Sequence, residues 1–107
     1  MKINDVLNSE GHEVFIEETS WIEPGDDLEE IYNDFEEKYQ KLVEFLTDQI
    51  GQPVETCDDG PGRLEEVNYG LIKWSVFEWA EDQYAVGYGH HDRETPVFLW
   101  SQKLNGS

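Results

Sequence analysis

The clearest pattern in the chain is a series of apolar residues that recur every three or four positions across one long stretch. At about 100° per residue, this spacing places all of them on one side of an α-helix. We therefore predict a helix over residues 26–50. Asp26 and Glu29 are spaced as a capping box at its start, and Gly51 is typical of a helix end. The apolar stripe comprises Leu28, Ile31, Tyr32, Phe35, Tyr39, Leu42, Val43, Leu46 and Ile50.

Strand-like alternation dominates much of the remaining chain, with β-branched and aromatic residues between polar ones. Turn-forming sequences separate these segments, notably residues 58–62 and 81–83. The predicted strands are residues 12–19, 54–57, 69–80, 84–90 and 96–102. The last three are expected to form an antiparallel meander.

The alternation also predicts which side chains share a face of the sheet. One face of the first meander strand carries Ile72, Trp74 and Val76, and the other carries Leu71, Lys73, Ser75, Phe77 and Trp79. In the next strand, small residues at Ala85, Gly87 and Gly89 leave room for a neighbouring Trp. The predicted fold class is α+β: an antiparallel β-sheet of three to five strands with one long amphipathic helix packed across one face, in a single domain of residues 1–107.

The outward side of the predicted helix is strongly acidic. The four-apart pairs Asp34–Lys38 and Glu37–Lys41 are favourable, whereas Glu30 and Asp34 repel each other, so helix formation alone does not require this pattern. The outward positions are Asp26, Glu30, Asp34, Glu37, Lys41, Glu44 and Asp48, with Asp27, Glu29 and Glu36 on the flanks.

Charge is the most unusual property of the composition, with 25 acidic and 7 basic residues giving a net charge of −18. Residues 1–66 hold 20 of the acids and 4 of the bases. Such a surface repels nucleic acid and anionic lipid and attracts cationic proteins. A soluble acidic protein without a cationic partner is the simpler alternative, because net charge governs solubility as well as association.

The chain carries no recognisable catalytic or cofactor-binding motif. His90 and His91 are adjacent in a strand and should point to opposite faces, which disfavours a shared metal ion. Cys57 is the single cysteine, so no intrachain disulfide can form and a reducing compartment is indicated. No apolar run reaches the length of a membrane span. We predict a cytoplasmic protein that is not an enzyme and binds no metal, cofactor or nucleic acid.

Trp21 has two interpretations that the sequence leaves open. It either packs onto the start of the helix, as large side chains usually do, or serves as an aromatic anchor among Glu17, Glu18 and Glu23.

In length, acidity, single-domain build and lack of a catalytic motif, the chain resembles the immunity proteins with which bacteria neutralise secreted toxins, such as contact-dependent inhibition toxins or colicin-type nucleases. The resemblance implies that an acidic surface docks onto a basic toxin domain, plugging its active site or blocking the adjacent groove. The expected partner is a basic protein, a nuclease toxin domain. Expected partner-binding residues are Glu17, Trp21, Glu23, Asp26, Asp27, Glu30, Asp34, Glu37, Asp58 and Asp59.

Two other functions are compatible with the same sequence. A DNA-mimic inhibitor of a DNA-processing enzyme would need acids spaced like phosphates along an extended face. A small enzyme without a recognisable motif would need convergent polar groups in a pocket.

Overall fold

The computed structural model describes residues 2–7, 13–92 and 94–104. A short 3₁₀ turn at Gly62–Leu64 lies between the second and third strands. His12, in the first predicted strand, lies outside the described residues. The main elements in chain order are α1 (Ile3–Val6), β1 (Val14–Glu18), α2 (Leu28–Ile50), β2 (Glu55–Cys57), β3 (Leu71–Trp79), β4 (Asp82–His90) and β5 (Val97–Lys103).

The five strands form one sheet in the order β1-β5-β4-β3-β2, and every neighbouring pair is antiparallel. α2 packs across β3, β4 and β5. The predicted α+β class, the meander and the single long helix across one face are therefore confirmed. The two edges of the sheet are β1 and β2, the two strands whose sequences alternate least regularly between apolar and polar residues.

The helix begins two residues later than predicted. Asp27 is its N-cap, and its Oδ1 accepts the backbone N–H of Glu30 at 3.1 Å. The predicted capping box at Asp26 and Glu29 is therefore wrong. The Asp26 carboxylate instead accepts the backbone N–H of Glu23 at 2.7 Å, which closes the turn before the helix. The predicted end is correct, because Gly51 caps the helix with φ of +101°.

The apolar stripe of α2 faces the sheet, as predicted. Its central residues are buried and the others are half-buried, which is the pattern of a helix lying on one face. At the centre of this interface the Tyr39 hydroxyl hydrogen-bonds the Ser75 hydroxyl at 2.6 Å. The buried helix residues are Phe35, Tyr39, Leu42 and Leu46, and they meet Phe77, Tyr84, Val86, Tyr88, Val97 and Leu99 of the sheet.

A β-bulge at the start of β3 reverses part of the predicted face assignment. Leu71 pairs with Gly89 while Lys73 pairs with Tyr88, so Ile72 is an extra residue in the strand. Leu71 then packs on the Trp74 side of the sheet and Ile72 packs on the helix side, opposite to the prediction. From Lys73 onward the predicted alternation is correct.

The turn between β3 and β4 also differs from its prediction. Trp79 pairs with Asp82, so the turn consists of Ala80 and Glu81 alone, and residues 82 and 83 already belong to β4. Both turn residues have positive φ, +53° and +71°. This is the geometry of a tight two-residue hairpin, in which Asn-Gly is the usual sequence. The turn was predicted at residues 81–83 because all three are polar, but two of these polar residues begin β4.

The sheet face opposite α2 is buried as well. Trp74 and Trp100 both pair with Gly87, and the missing Gly87 side chain leaves room for Trp74, as predicted. A Cβ on Gly87 would lie 2.9 Å from the Trp74 Cβ. The Trp74 indole N–H donates to the Pro61 carbonyl at 2.9 Å and thereby holds the connection after β2 over this face. This second core comprises Leu64, Leu71, Trp74, Val76, Ala85, Phe98 and Trp100.

Within the described part of the chain, no helix combines the length and the apolar composition needed to cross a membrane.

Candidate partner-binding surface

The acidic residues before and within the first turn of α2 are of two kinds: some accept backbone hydrogen bonds, and others, in the described part of the chain, have free carboxylates at the surface. Asp26 and Asp27 each accept a backbone N–H, so both shape the turn into the helix while remaining exposed. Glu23 and Glu30 are exposed and have no ion-pair partner among the described residues. The helix N-terminus carries a positive partial charge that offsets some of their mutual repulsion.

Trp21 is 66% exposed, so the interpretation that it packs onto the start of the helix is wrong. Its neighbour Ile22 is the buried residue of this connection, and the Ile22 N–H donates to the Glu94 carbonyl at 2.9 Å. With Ile22 directed inward, the adjacent Trp21 side chain is left at the surface, and Glu23 is exposed as well. An exposed Trp of this kind is a common feature of binding surfaces.

Two neighbouring pockets lie between the outer flank of α2 and β1 with the residue that follows it. We call the pair the helix cleft and each pocket one half of it; the two halves differ in character. The acidic half, of about 430 Å³, lies toward the start of the helix. It contains three of the predicted site residues, Glu30, Asp34 and Glu37, which share the outward side of α2 as predicted. Its lining is Thr19, Glu30, Ile31, Asn33, Asp34, Phe35 and Glu37.

The apolar half of the helix cleft, of about 410 Å³, lies toward the end of the helix. A β-bulge between Phe15 and Glu17 makes this half possible. Because of the extra residue, Ile16 and Glu17 both lie on the helix side of β1. The lining is Ile16, Leu42, Phe45 and Leu99, with Glu17, Lys38 and Lys41 at the rim.

Lys38 separates the two halves of the helix cleft. Its Nζ lies 2.5 Å from Glu17 on β1 and 3.8 Å from Asp34 on the helix, and it stands 5.7 Å from the centre of the Phe35 ring. The hydrogen bond to Glu17 raises the pKa of Lys38. The predicted Asp34–Lys38 pair is therefore present, but Glu17 is the closer partner. Glu17 is tied to the helix surface by this contact.

The other predicted helix pair is also present. The Lys41 Nζ lies 3.7 Å from Glu37, although both side chains are largely exposed, so solvent screens the interaction. On the opposite flank of the helix, Glu36 forms an ion pair with Lys73 of β3, and this hydrogen bond raises the pKa of Lys73. Ion pairs therefore fasten α2 to the sheet on both flanks, through Glu36 on one and Lys38 on the other.

Asp58 and Asp59 do not join the other predicted site residues. They follow β2, which is four interstrand spacings from β1, or about 19 Å at the usual strand separation. The Cys57 thiol donates to the Asp59 carboxylate at 3.3 Å, and Arg63 pairs with Glu55 at 2.6 Å beside them. The predicted set therefore does not form one site. Glu17, Glu30, Asp34 and Glu37 line the helix cleft, whereas Glu23 and Asp26 line a separate pocket before the helix and Asp58 and Asp59 lie at the β2 edge.

The histidines serve the two sides of the sheet separately, as their adjacency predicted. The His90 Nε2–H donates to the Thr95 carbonyl at 2.7 Å, and its Nδ1 lies 2.7 Å from the Tyr32 hydroxyl on the helix side. His91 lies on the other side, where its Nε2 is 2.7 Å from the Asn68 side-chain oxygen. In the described residues, no group of three or more His, Cys, Asp or Glu side chains is arranged to hold a metal ion.

The sequence indicated the acids of the helix cleft but not the cleft itself. Ile16, Phe45 and Leu99 were recognised only as strand or helix residues, because no local pattern reports that an edge strand is bulged. The succession of three apolar residues, Val14, Phe15 and Ile16, interrupts the alternation at this point, but the sequence does not show which of them is unpaired.

Comparison with known proteins gives no match: no family model, no curated protein and no solved structure corresponds to this chain.

Proposed function

We propose that this protein is a cytoplasmic immunity protein that binds and neutralises a basic toxin of the nuclease class. The observation that supports this most directly is the acidic half of the helix cleft, where Glu30, Asp34 and Glu37 line one concave surface. A nuclease presents a basic groove to its nucleic-acid substrate. The acidic half of the helix cleft has the opposite charge, so such a groove would bind it in place of the nucleic acid.

The exposed Trp21 supports the same proposal. Charge complementarity mainly increases the rate of association, whereas slow dissociation depends on a few buried aromatic or apolar groups. Trp21 lies two residues before the exposed Glu23 and two residues after Thr19, which lines the acidic half of the cleft. The surface therefore combines carboxylates that attract a basic partner with a large aromatic side chain that a partner would cover.

The geometry favours toxin inhibition over DNA mimicry. A phosphate-like row would have to continue along the exposed side of α2, but Lys41 interrupts it after Glu37 and has a side chain that is 74% exposed. Acids that resemble a DNA backbone would also be repeated on a second parallel row, and the flanking Glu36 is instead paired with Lys73.

Charge reversal of the cleft tests the proposal. The partner is captured from the native host at low salt and identified, and its nuclease activity is measured with and without the inhibitor. In the cleft variant, Glu30, Asp34 and Glu37 are all changed to Lys. We expect the association rate constant to fall by about 10-fold or more at low salt, because the steering charge is reversed.

A matched control changes Glu65, Glu66 and Glu78 to Lys, which gives the same net charge at exposed positions away from the cleft. This variant is expected to lose much less of the association rate. Equal losses in both variants would show that only total charge matters. An acidic partner, a partner without nuclease activity, or binding that is indifferent to salt would overturn the proposed function.

A further inference from the structure

The apolar half of the helix cleft is an open depression at the margin of the core between α2 and the sheet. Leu42 and Leu99 are buried at its floor, while Ile16 and Phe45 are half-buried walls that leave a volume of about 410 Å³ open beside them. This volume is within the range of sites that take a small ligand or one or two side chains. An open apolar groove of this size next to a polar surface is typical of an interaction site.

The charges around this groove indicate what could occupy it. Lys38 and Lys41 at the rim are neutralised by Glu17 and Glu37, so the rim itself offers little net attraction for an anion. The whole chain carries a net charge of −18, which repels free anionic amphiphiles such as fatty acids. The occupant should therefore bring an apolar group and a positive charge together.

The distance between the two halves of the helix cleft sets the spacing between the apolar group and the positive charge of the occupant. Asp34 lines the acidic half of the cleft and Leu42 lines the apolar half, and eight helical residues span about 12 Å. An extended peptide covers that distance in about four residues. A basic side chain and a large apolar side chain about four positions apart would reach both halves at once.

We infer that the basic partner inserts a large apolar side chain into the apolar half of the helix cleft, from a segment whose basic residue, about four positions away, lies in the acidic half. This inference rests on the proposed function, in which the acidic half attracts the partner. It adds the group that slows dissociation, since an apolar anchor in a pocket with a charged rim is the usual arrangement of a binding hot spot.

Two synthetic peptides test the inference without requiring the natural partner. The first is acetyl-Lys-Lys-Ser-Ser-Ser-Phe-amide, and the second replaces Phe with Ser and keeps the charge. Each is titrated into the labelled protein at low salt and followed by nuclear magnetic resonance. We expect the Phe peptide to bind about 10-fold more tightly, as burial of one aromatic side chain provides. Its additional shifts should lie at Ile16, Leu42, Phe45 and Leu99.

Neighbouring residues on β1 provide matched variants. Ile16→Thr removes an apolar wall of the groove and should abolish the advantage of the Phe peptide. Phe15→Thr changes the adjacent residue, which faces the other side of the sheet and contacts Phe98, and should leave that advantage intact. Thr is favourable in strands, and circular dichroism checks that both variants fold.

The outcomes separate the inference from the proposed function. Equal affinity of the two peptides, or a Phe advantage that survives Ile16→Thr, overturns the apolar anchor even when both peptides bind in a salt-dependent way. If the Phe peptide binds more tightly than the Ser peptide but neither affinity depends on salt, the result supports the apolar anchor and contradicts attraction by the acidic half. Failure of both peptides to bind at low salt would count against both.

Discussion

Replacement of Trp21 by alanine separates a role in binding from a role in folding. Trp21 is 66% exposed, so about a third of its surface is covered in the free protein. For a side chain of roughly 250 Å², that third is about 80 Å², or about 2 kcal/mol at 25 cal/mol per Å². Because unfolded chains also cover roughly 10–40% of this apolar surface, the expected loss in the free energy of unfolding is about 1–2 kcal/mol.

The exposed part of Trp21 has a larger effect on binding. About 160 Å² of apolar surface remains for a partner to cover, which corresponds to an upper bound of about 4 kcal/mol. If Trp21→Ala removes half of that binding free energy, the dissociation constant of the complex rises about 30-fold. Most of the change is expected in the dissociation rate, because an aromatic anchor contributes little to long-range attraction.

Tyr69→Ala is the matched control for this substitution. Tyr69 is 59% exposed and stacks on His91, on the sheet face opposite α2. Urea unfolding should show similar small losses of stability for both variants, while only Trp21→Ala should dissociate faster from the basic partner. A loss of stability of about 3–5 kcal/mol for Trp21→Ala would identify it as a core residue. An unchanged dissociation rate would exclude Trp21 from the interface.

Three further predictions concern the protein without a partner. Raising the ionic strength from about 0.01 M to about 0.15 M shortens the Debye length from about 30 Å to about 8 Å, so the melting temperature should rise as repulsion between carboxylates weakens. A melting temperature that stays constant would show that the acids are locally compensated. The double variant Ala80→Asn and Glu81→Gly places suitable residues at two positive φ angles and should raise the free energy of unfolding by about 1–2 kcal/mol. An unchanged urea midpoint would contradict the strain assigned to this turn. Burial raises the pKa of Tyr88 to about 12, above the value of about 10 in an unfolded chain. The unfolded state therefore releases the proton first, and stability should fall by about 2 kcal/mol as pH rises from about 10 to about 12, whereas Tyr88→Phe should show a smaller fall.

The sequence by itself determined the elements whose signals are local. The apolar stripe of α2, its end at Gly51 and the alternation from Lys73 onward were all correctly predicted. Helical periodicity and strand alternation are properties of neighbouring residues, so they are readable without knowledge of the fold. The acidity of the helix surface was readable for the same reason, since the residues opposite an apolar stripe must face solvent.

Only the tertiary structure decided how these elements combine into a surface. The bulges at Ile16 and Ile72 depend on the partner strand, and each changes which side chains face the helix. The strand order places Asp58 at the edge opposite Glu17, although both belong to the same acidic stretch of sequence. The exposure of Trp21 follows from the burial of Ile22 beside it. Register, strand order and burial arise from contacts between distant segments, and composition and local spacing carry little information about such contacts.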